Sequence, residues 1–182
     1  MEEKAGYRAR WEIAKIRANE KVRKQIENQL KNGTGIDEIV SQYPNEIEVK
    51  HEIMQGNILL NEGIDAIWAL VAGDANELPF NSSNAYIGVG DSTVAEDAGQ
   101  TGLQGNNQTY MPMDDGYPQY GQNQRIVFRS TFGENDGNHA WNEFTVANAA
   151  GNNGKNLNRK VESKGTKSQG EIWTLTLTIT LS

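Results

Sequence analysis

The C-terminal stretch Glu171–Leu181 reads EIWTLTLTITL and alternates between two kinds of side chain. Threonine occupies every second position from Thr174 to Thr180. The positions between and beside the threonines hold large apolar residues: Trp173, Leu175, Leu177, Ile179 and Leu181. A period of two is typical of a strand that buries one face and exposes the other. This stretch therefore predicts a half-exposed strand in an antiparallel sheet.

Further short strands are predicted upstream of this one, separated by turns rich in Gly and Asn. The candidates are residues 46–53, 85–89, 125–132, 140–147 and 157–163. One helix interrupts them near residues 57–72, with Asn57 as its N-cap. Its inward face is predicted to hold Leu60, Ile64, Ile67, Trp68 and Val71. Residues 46–182 are thus expected to form a mainly antiparallel body, resembling a β-sandwich or jelly roll.

The N-terminal residues 1–45 suggest a different organisation. From Glu2 to Lys31 there is no Pro, and apolar residues recur at steps of three and four, which is typical of an amphipathic helix. The stripe comprises Tyr7, Trp11, Ala14, Ala18, Val22, Ile26 and Leu30. A second short helix would begin at a capping box of Thr34 and Asp37 and end before Pro44.

The predicted fold class is therefore α+β, with an N-terminal helical arm (1–45) followed by the β-rich body (46–182). Such a helix has little to bury by itself, so the arm is expected to pack against other helices of the same chain or against another chain. On this interpretation, a chain without residues 1–44 would still fold but would bind its partner less tightly.

Composition excludes several kinds of chemistry. The 182 residues include no Cys and only two His, His51 and His139, which removes thiol chemistry and disfavours most histidine-based catalysis and transition-metal sites. The net charge of −7 disfavours nucleic acid and anionic membranes as partners. No run approaches the roughly 18 apolar residues of a spanning helix, and the N-terminus does not resemble a secretory signal.

Individual polar motifs favour structural roles over chemistry. Asp114 and Asp115 form an acidic pair, and three other carboxylates could hold calcium: Asp91, Glu96 and Asp97. Residues 88–93 (GVGDST) resemble a phosphate-binding loop but lack its lysine and later glycine. Because acidic and glycine-rich turns are ordinary, and both histidines fit structural positions, we expect no enzyme, no metal and no cofactor.

Aromatic residues are the remaining candidates for recognition. Tyr110, Tyr117 and Tyr120 lie close to Met111 and Met113, a mixture that favours a protein interface over a glycan platform. The predicted interface residues are Tyr7, Trp11, Ala18, Val22, Ile26, Leu30, Tyr110, Met113 and Tyr117. The glycan alternative would use the three tyrosines with Trp141, near Asp114, Asp115 and Glu143.

Seven segments, together with the threonine-rich last strand, carry a resemblance to a known family. They are residues 56–64 (GNILLNEGI), 84–93 (NAYIGVGDST), 100–104 (QTGLQ), 113–118 (MDDGYP), 128–133 (FRSTFG), 140–148 (AWNEFTVAN) and 157–161 (LNRKV). In order and spacing they resemble a family of tailed-bacteriophage virion proteins, over about residues 56–182. The resemblance implies a structural component of the virion and no catalytic residues.

The leading hypothesis is a capsid decoration protein that stabilises the head by bridging neighbouring capsid subunits. Its partners would be the major capsid protein or other virion proteins, with no nucleic acid and no membrane. It would be made in the host cytoplasm, lie on the capsid surface and form a homo-oligomer, a trimer being expected. The alternatives are a tail or neck adaptor, a fibre component, or a carbohydrate-binding module.

Overall fold

The computed structural model describes residues 6–182, apart from the side chain of Asn152, so the first residues of the predicted arm lie outside the described part. Within residues 6–182, ten strands, three helices and one 3₁₀ turn follow one another in chain order. They are β1 (Tyr7–Ala18), α1 (Glu20–Lys31), α2 (Ile36–Gln42), β2 (Ile47–Gln55), β3 (Ile58–Leu59), α3 (Asn61–Val71), β4 (Tyr86–Gly90), β5 (Gln108–Pro112), β6 (Gln119–Gln122), β7 (Arg125–Phe132), β8 (Glu143–Ala147), the turn Gly151–Asn153, β9 (Asn158–Val161) and β10 (Glu171–Leu181).

The strands form two antiparallel sheets of five. Sheet A has the order β2-β1-β10-β7-β6, and sheet B has the order β3-β9-β8-β4-β5. Buried side chains from both sheets meet in one apolar core, as in a β-sandwich. The predictions of an α+β chain and of an antiparallel, sandwich-like body are therefore confirmed.

Aromatic side chains form the centre of this core. Trp141 packs edge-on against Phe132 and Trp173, each with a ring-centroid distance of 4.7 Å. Its indole nitrogen donates a hydrogen bond to the carbonyl of Gly137 at 2.8 Å. Because Trp141 is fully buried in this cluster, it is not available as the glycan platform that the sequence suggested.

The prediction of one long N-terminal helix is wrong, because residues 7–18 form strand β1. The apolar residues of β1 alternate in two phases. Odd positions from Tyr7 to Ile13 face the core between the sheets, whereas Ile16 faces the helices on the other side of sheet A. The apolar residues occupy odd positions up to Ile13 and even positions from Ala14 onward. Positions 7, 11, 14 and 18 are therefore all apolar, which is also the spacing of a helical stripe.

Strand β1 is an interior strand of sheet A rather than part of an arm. It pairs with β10 from Tyr7 to Arg17 and with β2 from Arg10 to Ala18. The proposed domain boundary after residue 45 therefore separates segments that share one sheet. Three of the predicted interface residues are fully buried inside the protomer: Trp11, Ile26 and Leu30.

Helices α1 and α2 cover the outer face of sheet A. Ile26 and Leu30 from α1 and Ile39 from α2 pack on Ile16 and Ile172, and two further predicted interface residues, Ala18 and Val22, are half-buried beside them. This second apolar cluster buries part of the threonine face of β10, so that Thr174 is only 2% exposed. The predicted half-exposed strand is thus covered over its first half.

The ends of α1 and α2 depend on local capping. The Asn19 side chain accepts a hydrogen bond from the backbone N–H of Lys21, and Gly33 has a φ of +88° where α1 ends. The predicted capping box at Thr34 is wrong: Gly35 is the N-cap of α2 and makes no side-chain cap bond. The Thr34 carbonyl instead accepts a hydrogen bond from Arg129 at 2.7 Å.

None of the helices in residues 6–182 is long and apolar enough to cross a membrane.

Candidate functional site

An apolar groove of about 710 Å³ opens at one end of the sandwich. Its floor is formed by core residues that are almost fully buried, Phe128, Leu157 and Ile179. Its walls come from both sheets, from α3 and from the loop after α3: Tyr7, Leu59, Ile67, Phe80, Ile126 and Leu181. The groove is therefore an opening of the main core rather than a separate cavity.

Two features shape the polar margin of the groove. The β6–β7 turn lies along it, with Asn123 and Gln124 both in the left-handed region that a tight hairpin needs. The Tyr7 hydroxyl donates a hydrogen bond to the Asn57 side-chain oxygen at 2.5 Å. Burial raises the pKa of Tyr7 to about 12, against the opposing effect of that hydrogen bond, so the groove contains a neutral phenol.

The apolar surface continues from the groove onto α3 and the loop after it. Ile67, Trp68 and Val71 lie on the outer face of α3, and Trp68 is 62% and Val71 72% exposed. Leu78, in the following loop, is 46% exposed. We call these four residues the α3 patch. Large apolar side chains grouped in this way are typical of interaction sites, whereas single exposed ones are not.

The small residues of α3 determine which face it buries. Gly63 and Ala66 face the protein, and Gly63 lies directly on the backbone of Leu157. Glu62 fixes the first turn by accepting a hydrogen bond from the Asn156 N–H at 2.9 Å. A helix was predicted here, but Asn57 is not its N-cap: Ile58–Leu59 form β3, and α3 begins at Asn61 after Leu60. The predicted inward face is partly wrong, because Leu60 is buried whereas Ile67, Trp68 and Val71 are exposed.

We predict that Gly63→Ala destabilises the protein by about 1–3 kcal/mol, because the added Cβ would lie 2.5 Å from the Leu157 Cα and carbonyl oxygen. Helix propensity alone would favour alanine by about 1 kcal/mol. Asp65→Ala, on the exposed face of the same helix, is the matched control and should cost nothing. Urea unfolding of both variants measures the difference, and a stabilising Gly63→Ala would show that α3 is not seated on Leu157.

The predicted Tyr/Met interface is largely inside the protein. Met113 belongs to the main core, Tyr110 is half-buried with its hydroxyl 3.4 Å from the Asn156 side-chain oxygen, and burial raises its pKa. Tyr117 packs on the core and under the Arg129 guanidinium, 5.2 Å from its ring centroid. Only Tyr120, 76% exposed, is well placed for contact with a partner.

Asp114 belongs to a buried ion pair rather than to an acidic site. Its carboxylate lies 2.9 Å from the Arg129 Nε and accepts hydrogen bonds from the backbone and hydroxyl of Thr131. The other end of Arg129 donates to the carbonyls of Leu30 and Thr34, where α1 ends. The pair therefore connects sheet A to the helices above it, which sequence patterns did not indicate.

Glu143 belongs to a second buried ion pair, with Arg159, and both side chains are fully buried. Its Oε2 lies 2.8 Å from the Arg159 Nη2, and its Oε1 accepts the N–H of Gly105 at 2.7 Å. Gln104 also donates its N–H to this carboxylate. A Cβ on Gly90 would overlap Oε1, so a larger residue there would displace the carboxylate.

The remaining polar candidates secure loops. Asp91 accepts from Asn107, Asp97 from the Gly99 N–H, and Glu96 from the Val161 N–H, so these three carboxylates serve different turns. Within residues 6–182, no group of three or more acidic or histidine side chains could hold a metal ion. His139 contacts the Thr109 hydroxyl and the Ala140 carbonyl oxygen, a structural arrangement.

The groove and the α3 patch are the site that this geometry favours, and it is built for apolar contact. Of the predicted interface residues, only Tyr7 lines it. Comparison of the chain with protein-family models, curated proteins and solved structures finds no match.

Proposed function

We propose that the protein is a structural component of a tailed-phage virion, a capsid decoration protein that binds a neighbouring virion protein through the groove and the α3 patch. The observation that carries the proposal is this continuous apolar surface. Trp68 and Val71 are more than 60% exposed and adjoin an open groove of about 710 Å³. A protein that works by adhesion needs such a surface, because burying it supplies the free energy of association.

The sequence resemblance supports the virion as the setting, and the net charge of −7 agrees with a protein that does not adhere to DNA. The proposed partner is the major capsid protein or another virion protein, and the proposed location is the capsid surface. Decoration would add binding free energy across subunit boundaries and so stabilise the shell. A homo-oligomer is part of this proposal. The trimer is a prediction from the decoration role, whereas the open edge of sheet A, argued below, predicts a dimer.

The tail or neck alternative uses the same surface and differs in copy number. A position on the capsid lattice recurs over the whole shell, whereas a tail position recurs a few times. Quantitative mass spectrometry of purified virions, relative to the major capsid protein, should give a ratio near one to one. A small minority ratio would support the tail or neck, and absence from the particle would contradict both.

The residues required by the glycan alternative do not form a platform. Trp141 and Glu143 are fully buried, and Asp114 is 3% exposed. No specific observation therefore favours a carbohydrate-binding module.

The α3 patch itself can be tested by binding to virus heads that lack this chain. We expect Trp68→Ser combined with Val71→Ser to weaken binding about tenfold or more, because aromatic residues at interface centres carry most of the affinity. Thermal unfolding should be unchanged, since both side chains are largely exposed. Val94→Ser, at a 57% exposed position outside the patch, is the matched control. Equal binding by all three proteins would exclude the patch as the contact surface.

A further inference from the structure

Strand β2 is the longest open sheet edge among residues 6–182. It has nine residues and pairs on one side only, with β1. The other edge strands offer much less: β3 has two residues, β5 has five, and β6 has four with an irregular register. A long edge with free N–H and C=O groups is a template for pairing with another strand.

The register of β2 on β1 identifies which backbone groups are free. The residues that flank β2 both bond to the chain of β1. The Asn19 N–H donates to the Glu46 carbonyl, and the Gly56 N–H donates to the Ala9 carbonyl. In a regular antiparallel ladder every second residue makes these bonds, so the even positions of β2 bond to β1. The odd positions, from Ile47 to Gln55, direct their N–H and C=O groups to the open edge. The Gln55 carbonyl agrees with this, since it accepts a hydrogen bond from Lys160.

The sequence of β2 is complementary to itself about its central residue. In an antiparallel pair of two β2 strands with His51 opposite His51, Lys50 lies opposite Glu52 of the second copy, and Val49 lies opposite Ile53. All nine residues overlap in this register. Because odd residues are opposite odd residues, their free N–H and C=O groups face one another and complete the ladder.

We propose that β2 pairs with β2 of a second copy of this chain in this register, so that sheet A continues across a two-fold axis as ten strands. The proposal is independent of the virion function. When β2 pairs with its own copy about a two-fold axis, odd positions must lie opposite odd positions and even positions opposite even ones. Slipping by one such step places Glu48 opposite Glu52 and Lys50 opposite Lys50, or else Glu52 opposite Glu52. Like charges directly opposite are destabilising, so the centred register is favoured.

The side chains on β2 suit this partner on both faces. On the outer face, Ile53 is 50% exposed in the single chain and would be covered by Val49 of the second copy. On the inner face, Lys50 is 71% exposed and lies 2.8 Å from Glu52 of its own chain. Burial would raise the pKa of Glu52, but hydrogen bonds from Lys15 and Lys50 outweigh it and lower the pKa to about 2. Glu52 is thus charged at neutral pH, and Lys50 of the second copy would join the three lysines that already contact it, Lys15, Lys50 and Lys164.

The oligomeric state tests the contact. Sedimentation of the intact protein should give a dimer of twice the chain mass of 20.1 kDa. Ile53→Lys should raise the dissociation constant about tenfold or more, because the two-fold axis repeats the substitution and lysine on an edge opposes pairing. Val94→Lys, also at an exposed apolar position, should leave the dimer intact. Circular dichroism should show that both variants keep the native fold.

Introduced cysteines test the register, because the chain has none of its own. In the proposed pair only residue 51 opposes itself, with Cα atoms about 5.5 Å apart, within disulfide range. His51→Cys should therefore form a disulfide-linked dimer under mild oxidation. Val49→Cys alone should not, since its two copies would be about 13 Å apart, but a mixture of Val49→Cys and Ile53→Cys proteins should cross-link.

The proposal predicts a dimer that Ile53→Lys weakens and that His51→Cys links covalently. A monomer or a trimer at working concentrations would overturn it. A dimer that resists Ile53→Lys, or that is linked through Val49→Cys alone, would also overturn it, because the contact would then lie elsewhere or in another register.

Discussion

A chain that lacks residues 1–44 is expected not to fold. The deletion removes β1, which lies between β2 and β10 and pairs with both. It also removes Trp11 and Ile13 from the main core and both helices that cover sheet A. Without β1, the two neighbouring strands lose their shared partner. Without the two helices, the outer face of β10 around Ile172 and Thr174 loses its cover. We expect no cooperative thermal transition and no dispersed amide spectrum from the truncated protein.

Single substitutions in β1 give the same test without truncation. Trp11→Ala should destabilise the protein by about 3–5 kcal/mol, because the indole is fully buried between the sheets. Arg8→Ala, three residues earlier and exposed, should change stability by less than about 0.5 kcal/mol. If the truncated chain unfolded cooperatively and Trp11→Ala were as stable as Arg8→Ala, residues 1–44 would be an arm rather than part of the sandwich.

Strands with a single alternating pattern could be predicted from the sequence. β10 keeps one apolar phase over most of its eleven residues, and the structure has a strand with the same bounds. β1 could not be predicted in this way because it buries both faces, one against sheet B and one against α1 and α2. A strand with two buried faces loses the period-two alternation of apolar and polar residues. In β1, the shift of apolar residues from odd to even positions produced the spacing of a helix.

The site was harder to predict than the fold. Amphipathic reasoning assigns large apolar residues to the buried face of a helix, and for α3 this placed Ile67, Trp68 and Val71 inside. The helix instead approaches the backbone of Leu157 so closely that only small residues fit, so Gly63 and Ala66 are buried. The signal that could have indicated this was the pair of small residues three positions apart on a helix otherwise rich in large apolar side chains.

The edge of sheet A illustrates the same limit. The sequence predicts a structural position for His51, yet its side chain is exposed on β2. The alternation of β2 was evident in the sequence, but its position at an edge was not, because that depends on β1 being a strand. The self-complementary sequence of β2 indicates a contact only when β2 is known to be an edge strand.

Glu143→Ala is expected to destabilise the protein by about 3–5 kcal/mol, because it leaves Arg159 fully buried without a counter-charge. It also removes the acceptor for the N–H groups of Gln104 and Gly105, which connect the long loop after β4 to the sandwich. Glu12→Ala is the matched control. Its carboxylate pairs with Arg10 at a position 42% exposed, where an ion pair contributes about 0–1 kcal/mol.

A double variant separates the two roles of Glu143. Replacing Glu143 and Arg159 together by leucine removes the unpaired charge, so it should recover part of the lost stability. Recovery should be incomplete, because Gln104 and Gly105 still lack an acceptor, and their amide hydrogens should exchange faster than in the native protein. Urea unfolding and hydrogen exchange measure the two effects. If Glu143→Ala cost no more than Glu12→Ala, the carboxylate would not be the anchor of this loop, and its complete burial would need another explanation.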